Sequence, residues 1–464
     1  MSKPIVPAAI LLLALCGCVD HSKDVDLYKS VLHGPATRPA FDPKANLSLA
    51  EALRRAEIDN EAIASAGENY IQALAEKMRQ AGTFLPTLSL APSYSYSKTN
   101  GSGGFVRSDG FGGGIGGGST PIVIGGSSGS GGQTSVPLNA SFNGSLANAS
   151  SLQAAGRNVE QQAQLVLDQR QIILLQVAQS YYDVLRFQQQ ANVFENSVKL
   201  RTEQLRDQQA RLRLGGARPL DVAQSEADLA GTRVSLTQAQ SDSANARSSL
   251  ARLMGVDAVE GHLGDSFDAP AAVPSKEIWL AQARAHRQDL LASARAVEAA
   301  RQHVEGAIRA YYPSIGIDFN YYLYSDPETS RSWTAGITAN VPIFSGLQIE
   351  AEIRRAWSVY RQAGLTLSQQ QRIVTDDVNR NYQNLLASEQ KLIDLNIQVE
   401  AAQRAFDLAD RSFQLGRETN LDRLLQQDNL LSAQLNLVSE QYNRKTAYLG
   451  LLRAAGSLMI AAEP

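Results

Sequence analysis

The sequence is poor in cysteine, aromatic residues and net charge, and each scarcity excludes a class of protein. It contains two cysteines, Cys16 and Cys18, so no disulfide framework can hold the rest of the chain together. Aromatic residues make up 6%, which is low for a chain with one thick globular core. The formal net charge of −3 leaves no basic surface of the kind that binds nucleic acid.

Signatures of catalysis and of metal binding are missing as well. The five histidines are scattered without the spacing of metal ligands. The glycine-rich stretch 101–132 is not followed by the Gly-Lys-Ser/Thr sequence that completes a phosphate-binding loop. We therefore predict no catalytic residue, no metal site and no cofactor, and we expect that the protein is not an enzyme.

The N-terminus has the features of a secretory signal. Lys3 precedes an apolar run that is too short for a membrane-spanning helix. The run leads into an L-x-G-C sequence that ends at Cys18 and resembles the lipobox of bacterial lipoproteins. We predict a signal peptide over 1–17 and acylation of Cys18, with an ordinary signal peptide as the alternative. Val19, rather than an aspartate, follows the cysteine, which by the same resemblance indicates sorting to the outer membrane.

The rest of the chain contains two tandem repeats. A tether (18–47) leads into repeat 1 (48–255), a linker (256–275) joins it to repeat 2 (276–456), and a short tail (457–464) follows. Equivalent positions lie 201 apart, as in the pairs Val177 and Val378, Tyr181 and Tyr382, Gly215 and Gly416, Asp221 and Asp422, and Gly255 and Gly456. Because a repeated unit rarely buries its apolar face alone, we expect the function to reside in an assembly.

Each repeat is predicted to contain one very long helix. Apolar residues recur every seven positions in both repeats, a period that favours supercoiling against neighbouring helices. They are Val177, Val184, Ala191, Val198, Leu205 and Leu212 in repeat 1, and Val378, Leu385, Leu392, Val399, Phe406 and Phe413 in repeat 2. The first long helix is predicted over 146–213 and would be about 100 Å long at 1.5 Å per residue.

Shorter helices flank each long one. Ser48 is expected to cap a first helix that runs to about Gly82. Gly215 is expected to end the long helix in the left-handed conformation. Pro219 then opens a return helix that ends near Gly255.

Four stretches alternate apolar or aromatic residues with polar ones and are predicted to be strands. They are 85–97, 136–143, 314–325 and 333–341, and they form two hairpins. Each is about as long as a transmembrane β-strand, and their aromatic residues suit a membrane interface. The alternative is a small soluble sheet on a helical body. The stretch 101–132, within the first hairpin, is expected to form an external loop.

Short motifs in this chain resemble those of the TolC-like outer membrane factor family, in the same order and over essentially the whole mature chain. They are 47–52 (LSLAEA), 287–290 (RQDL), 342–346 (PIFSG) and the two turns at 214–221 and 415–422. The chain departs from the usual pattern at Glu61, where proline is frequent, and at Leu347, where glycine is frequent. It also carries Leu425 where some members have an acidic residue.

The resemblance implies a mainly α-helical protomer with a membrane β-barrel portion. Three copies would form a homotrimer with a twelve-stranded β-barrel, continued by a long periplasmic α-helical coiled-coil barrel. The strand pattern alone leaves the number of copies open. Lipid does not tolerate an open sheet edge, but either two or three copies would close a barrel.

The resemblance further implies a passive exit duct in the outer membrane of a Gram-negative bacterium. An inner-membrane pump would deliver substrates through a periplasmic membrane-fusion adaptor, in an efflux or secretion system. Outer-membrane lipid would surround the barrel and hold the acyl chain on Cys18. The alternative is a lipid-anchored periplasmic coiled-coil scaffold without a transmembrane pore.

The turns between the long helices and the return helices carry the candidate functional residues. Asp221 and Asp422 follow equivalent turns, so symmetric copies would crowd these carboxylates around one periplasmic aperture. Arg218, Arg417 and Glu418 are candidates for the ion pairs that keep this aperture shut. The alternative for both aspartates is a capping role at the return helices. The turn residues expected to contact the adaptor are Leu214, Gly215, Leu415 and Gly416.

Overall fold

A computed structural model describes residues 27, 29–32, 41–98, 130–265, 267, 270, 273–326 and 333–458. The predicted signal peptide, Cys18 and most of the glycine-rich stretch lie outside these residues. The predictions made for them therefore remain predictions.

The helices and strands follow one another in the same order in both halves of the chain, except that two strands of the first half stand in the place of a single strand of the second half. They are β1 Leu47–Ser48, α1 Leu49–Asp59, α2 Glu61–Gly82, β2 Thr87–Leu90, β3 Ser93–Lys98, β4 Ser130–Gly144, α3 Leu146–Arg213, α4 Pro219–Met254, β5 Leu263–Gly264, α5 Lys276–His286, α6 Gln288–Arg309, β6 Ser314–Asp326, β7 Trp333–Asn340, α7 Gln348–Gln414 and α8 Asn420–Ala454. The two strands are β2 and β3, and they stand in the place of β6.

The chain folds as two compact units, and each half contributes to both. The helical unit consists of the described residues up to Glu76, Ala154–Arg301 and the described residues from Ser358 onward. The strand unit consists of the described parts of Lys77–Gln153 and Gln302–Trp357. Among the described helices, none has the length and apolar character that crossing a membrane requires.

The two long helices match the heptad pattern. The predicted bounds of α3, 146–213, are confirmed, and this helix has 68 residues against 67 in α7. Each is about 100 Å long. Gly215 and Gly416 lie in the left-handed region, with φ of +77° and +72°. The return helix α4 begins at Pro219, as predicted.

The predicted single helix from Ser48 to Gly82 is wrong at Asn60, where the backbone is extended and α1 ends. The side-chain nitrogen of Asn60 donates to the carbonyl of Leu253 at 2.8 Å, and its oxygen accepts the N–H of Ala62 at 2.9 Å. Asn60 therefore caps α2 and ties the break to the end of α4. The pattern of apolar residues gives no sign of this break, because Leu253 lies 193 positions away.

The second half contains the same break with different chemistry. α5 ends at Arg287, whose backbone is extended and whose buried guanidinium binds Asp377 at 2.6 Å. Each break packs against the glycine that follows a return helix, Gly255 in one half and Gly456 in the other. A Cβ atom at these glycines would lie 2.5 Å and 2.8 Å from a backbone oxygen of the break, so only glycine fits.

The junction of the predicted tether with repeat 1 forms a short parallel strand pair with the predicted linker. Leu47 of β1 lies opposite Leu263 of β5. Tyr181 on α3 is fully buried, and its hydroxyl shares its one proton between the carbonyl oxygens of Leu47 and Gly264, which lie 2.8 Å and 2.7 Å away. The apolar core of the helical unit includes Leu53, Ile63, Leu174, Val177, Leu250, Val378, Leu385 and Leu451.

The predicted hairpins are confirmed, and they share one sheet. β4 pairs with β2 and β3, β6 pairs with β7, and the antiparallel pairing of β4 with β6 joins the two hairpins. The predicted strand 85–97 is interrupted between β2 and β3, where Pro92 lacks a backbone donor. β4 is longer than the predicted 136–143 because it begins at Ser130, inside the glycine-rich stretch.

Candidate functional site

The sheet of the strand unit has one apolar and one polar face. Residues directly opposite each other on neighbouring strands point to the same face, and the two faces alternate along each strand. The rows of the apolar face are Leu90–Leu138–Tyr321–Trp333, Leu88–Ala140–Phe319–Ala335 and Phe142–Ile317–Ile337. The rows of the polar face are Ser89–Asn139–Asn320–Thr334, Thr87–Ser141–Asp318–Gly336 and Asn143–Gly316–Thr338.

The apolar face is uncovered. Leu88 and Ile337, on its two outer strands, are 55% and 79% exposed. On the polar face, side chains bond across the strands, with 2.8 Å between the hydroxyls of Thr87 and Ser141. An apolar outer surface opposite a polar inner surface is the arrangement of strands that surround a water-filled channel in a membrane.

Both sides of the sheet end in an open edge. β7 pairs with β6, and β2 and β3 pair with β4. Within the described residues no further strand covers these outer edges. Their backbone N–H and C=O groups are therefore available for pairing with another chain.

The two turns at the ends of the long helices have the same geometry. In each, a backbone N–H donates to a carbonyl five residues earlier, at 2.8 Å after α3 and 2.9 Å after α7. These bonds close each helix end around Gly215 and Gly416. Leu214 and Leu415 then project into solvent, with 87% and 69% of their surface exposed. Their exposure is compatible with the predicted contact with an adaptor, which remains a prediction.

Asp221 caps the first return helix. Its carboxylate accepts the backbone N–H of Arg218 at 3.1 Å and the guanidinium of the same residue at 2.9 Å. The side-chain hydrogen bond from Arg218 holds the pKa of Asp221 below its usual range. The capping interpretation of Asp221 is therefore confirmed, and Arg218 is its ion-pair partner.

Asp422 occupies the same position at the start of α8. It accepts the backbone N–H of Thr419 at 3.2 Å, and its own N–H donates to the Thr419 hydroxyl at 3.2 Å. The hydrogen bond from the Thr419 side chain lowers the pKa of Asp422. Asp422 is exposed and has threonine where Asp221 has arginine, so the two repeats form the same cap with different partners.

Arg417 and Glu418 are exposed in the second turn. Neither makes an ion pair with any part of the chain that the structure describes. Their predicted role in closing an aperture thus depends on contacts with other copies. The gating role of both residues, and of the two aspartates, remains a prediction.

A buried polar cluster joins the two turns, and the sequence pattern did not reveal it. Asn420 is buried and accepts hydrogen bonds from Gln208 at 3.2 Å and from Arg423 at 2.8 Å. Its nitrogen donates to the hydroxyl of Ser225 at 3.3 Å. The cluster therefore links α3, α4 and α8 through one side chain. The 212 positions between Gln208 and Asn420 explain why no local motif signals it.

Buried arginines extend this polar cluster. The guanidinium of Arg423 lies over the ring of Phe413, 4.2 Å from its centroid, and burial lowers its pKa. Further along α3, buried Arg201 binds Asp428 and lies 4.0 Å from Asp228. Burial raises the pKa of Asp228, because removal from water disfavours its charged form.

No group of three or more histidine, cysteine, aspartate or glutamate side chains in the described part of the chain has the geometry of a metal site. The features that require a functional explanation are the two-faced sheet and the paired turns.

Comparison with known proteins gives that explanation. The profile of the family described as "Outer membrane efflux protein" matches residues 52–256 and 279–457, which is most of the chain. The chain belongs to this family. The family is one of channel proteins of the outer membrane, and the family resemblance seen in the sequence is confirmed.

Individual relatives support the same assignment. The chain is 27% identical over 310 residues to the outer membrane efflux protein BepC of Brucella suis. It is 29% identical over 297 residues to the pyoverdine export outer membrane protein OpmQ and 26% over 311 residues to the alkaline protease secretion protein AprF, both of Pseudomonas aeruginosa. These alignments cover 66%, 61% and 62% of this chain and 68%, 61% and 62% of the respective relative.

Solved structures share the fold over nearly the whole described chain. The outer membrane protein VceC of Vibrio cholerae superposes with a TM-score of 0.72 at 20% identity, covering 88% of this chain and 96% of VceC. The open state of the MtrE outer membrane channel of Neisseria gonorrhoeae superposes with a TM-score of 0.71 at 18% identity, covering 91% and 94%. At these identities the likeness establishes the fold.

Proposed function

We propose that three copies of this chain close a twelve-stranded β-barrel in the outer membrane and continue it as an α-helical barrel in the periplasm. The assembly is the passive exit duct of an efflux or secretion system. The observation that carries the proposal is the two-faced sheet with an open edge on each side.

The open edges require partner strands. In lipid, each unpaired backbone group costs several kcal/mol, so a sheet with free edges does not insert alone. Pairing β7 of one copy with β2 and β3 of the next removes both edges by one repeated contact. The apolar rows then face lipid, and the polar rows face the interior.

The width of the barrel favours three copies over two. The sheet is four strands across, because β2 and β3 both pair with β4. Two copies give eight strands, and the interior of such a barrel is just wide enough to be filled by side chains. Three copies give twelve strands and a backbone radius of about 12 Å at usual strand spacing and tilt. Only the larger barrel leaves an open duct.

The paired turns are the proposed contact site for the other components of the system, the adaptor and, through it, the pump. The exposed leucines Leu214 and Leu415 offer an apolar contact to a periplasmic membrane-fusion adaptor, which links the duct to an inner-membrane pump. Two relatives are named for different cargoes, pyoverdine in one and alkaline protease in the other. We therefore propose that the pump, rather than the duct, determines the cargo. Acylation of Cys18 adds an anchor in outer-membrane lipid.

Crosslinking between copies tests the closure directly. We would place one cysteine in β7, at Ala335, and scan a second through Thr87–Leu90 of β2. Oxidation of native outer membranes should link copies into a ladder that ends at three, and the parent chain without added cysteines is the control. A ladder that ends at two would establish an eight-stranded barrel. Absence of links at every position would refute closure through these edges.

A further inference from the structure

One carboxylate lies in the middle of the polar face of the sheet. Asp318 of β6 has Ser141 on one side and Gly336 on the other. Among the strand residues whose side chains the structure describes, Asp318 is the single aspartate, glutamate, lysine or arginine. Its carboxylate makes no hydrogen bond or ion pair with any described residue.

In the proposed barrel, the position of Asp318 places this charge within membrane depth. It lies four residues into β6, which is about 14 Å along the strand and about 10 Å along the normal of a barrel with the usual tilt. The apolar band of such barrels is about 25 Å tall. An unpaired carboxylate at this depth is tolerated where it contacts water. The polar face provides that setting, and a Cβ atom at Gly336 would meet nothing within 4 Å, so the space beside Asp318 is open.

We propose that Asp318 projects into the water-filled lumen of the barrel and gives the membrane-embedded part of the duct its own preference for cations. This inference rests on the proposed function, since three copies place three carboxylates at one level. It assigns charge selectivity to the barrel in addition to the carboxylates of the helical turns. Cationic cargo and counter-ions are favoured on their way out, and anions are disfavoured.

The strength of this preference depends on salt. The lumen axis lies less than about 12 Å from the three carboxylates in a barrel of twelve strands. The Debye length is about 30 Å at 0.01 M salt and about 3 Å at 1 M. The field of Asp318 therefore reaches across the whole lumen at low salt and is confined to the wall at high salt.

Reversal potentials of single channels in planar bilayers test the inference. At about 0.01 M KCl on the dilute side of a gradient, Asp318→Asn should lower the cation-to-anion permeability ratio by roughly twofold, and Asp318→Lys should lower it further. The difference should disappear near 1 M. The series is repeated in an Asp221→Asn/Asp422→Asn background, where the barrel charge accounts for a larger share of the remaining selectivity.

Moving the charge separates electrostatics from structure. Asp318→Asn combined with Asn320→Asp shifts the carboxylate by one row of the same face and should restore the parental ratio. A structural role of the side chain at position 318 would not be rescued in this way. Unchanged reversal potentials in both backgrounds would overturn the inference and leave the proposed duct intact. Folded trimers without any channel activity would overturn the proposed function and this inference with it.

Chemical labelling gives a second, independent readout. Cysteine at position 318 should react with a charged, membrane-impermeant maleimide in native outer membranes, whereas Ile317→Cys and Phe319→Cys, on the apolar face, should not. Equal labelling at the three positions would contradict a lumen-facing Asp318. Labelling of the parent chain measures the background reaction of its own cysteines.

Discussion

Two stretches of the same helix, α3, differ in the polarity of the residues that they bury. The first stretch buries mainly apolar residues, with Gln171 and Ser180 as buried polar exceptions, and its fully buried residues are Val166, Leu174, Val177, Tyr181 and Val184. The second stretch lies nearer the turn and buries polar residues, namely Arg201, Gln204 and Gln208. The apolar stretch stabilises the helical unit without directional requirements, at about 25 cal/mol per Å² of apolar surface buried. The polar stretch contributes about 1 kcal/mol for each hydrogen bond, and only when each partner is in place.

The polar stretch is also incompletely satisfied. Both polar atoms of the Gln427 side chain, and the oxygen of Gln204, are buried without a hydrogen-bond partner among the residues that the structure describes. Each such group costs about 1–3 kcal/mol. We infer that the turn-proximal part of the helical unit is held by a few specific polar contacts, among them those of Asn420 and Arg201.

Truncation of a side chain in the apolar stretch should have the largest effect on the free energy of unfolding. Tyr181→Ala removes a fully buried ring and both hydrogen bonds to the β1–β5 pair, so we expect the free energy of unfolding to fall by about 3–5 kcal/mol. Its counterpart Tyr382 is partly buried, and Tyr382→Ala should cost less than half as much. Thermal unfolding of the detergent-solubilised protein measures both. Equal losses would mean that the two repeats share the core equally, against the burial seen here.

Removal of the central residue of the polar cluster should have the next largest effect. Asn420→Ala leaves Gln208 and Arg423 without their acceptor, and we expect a loss of about 1–3 kcal/mol in the free energy of unfolding. Asn429→Ala, at an exposed position of the same helix, is the matched control and should change stability by less than about 0.5 kcal/mol. A loss at Asn420 no greater than at Asn429 would show that the cluster contributes nothing to stability.

The contrast between the two stretches also explains which features of the structure could be predicted from the sequence and which could not. The heptad of apolar residues, the glycines of the turns and the alternation in the strands are local patterns, and they predicted the bounds of α3, the turns and both hairpins. The break at Asn60, the buried Arg201 and the Asn420 cluster depend on partners far away in the chain. Their residue types are common on exposed helix faces, so the sequence alone gives no reason to bury them.

The carboxylates at the turns should have a smaller effect on stability and a visible one on conductance. Each is the third residue of its helix and accepts the backbone N–H of the N-cap residue, so it completes a capping box. Asp221→Ala with Asp422→Ala should leave the proposed trimer folded while raising its conductance in bilayers and weakening its preference for cations. Asn in both positions retains an oxygen acceptor for the caps but removes the charge. If the Asn pair and the Ala pair both conduct as the parent does, the aspartates are helix caps and the aperture lies elsewhere.

The smallest expected effect is on the acid dependence of stability. Hydrogen bonds depress the pKa of Asp221 and of Asp422 in the folded chain. A depressed pKa means that the ionised carboxylate contributes stability above its unfolded pKa of about 3.9, and that this contribution is lost as the pH falls through the lower folded value. Between about pH 5 and 7, these two groups should therefore not contribute to the pH dependence of the unfolding temperature. Below about pH 4, the unfolding temperature should fall more steeply in the parent than in Asp221→Asn/Asp422→Asn. Asp257→Asn, which removes an exposed carboxylate outside the turns, is the control variant. Identical acid limbs in the parent and the double variant would show that the caps form equally well without charge.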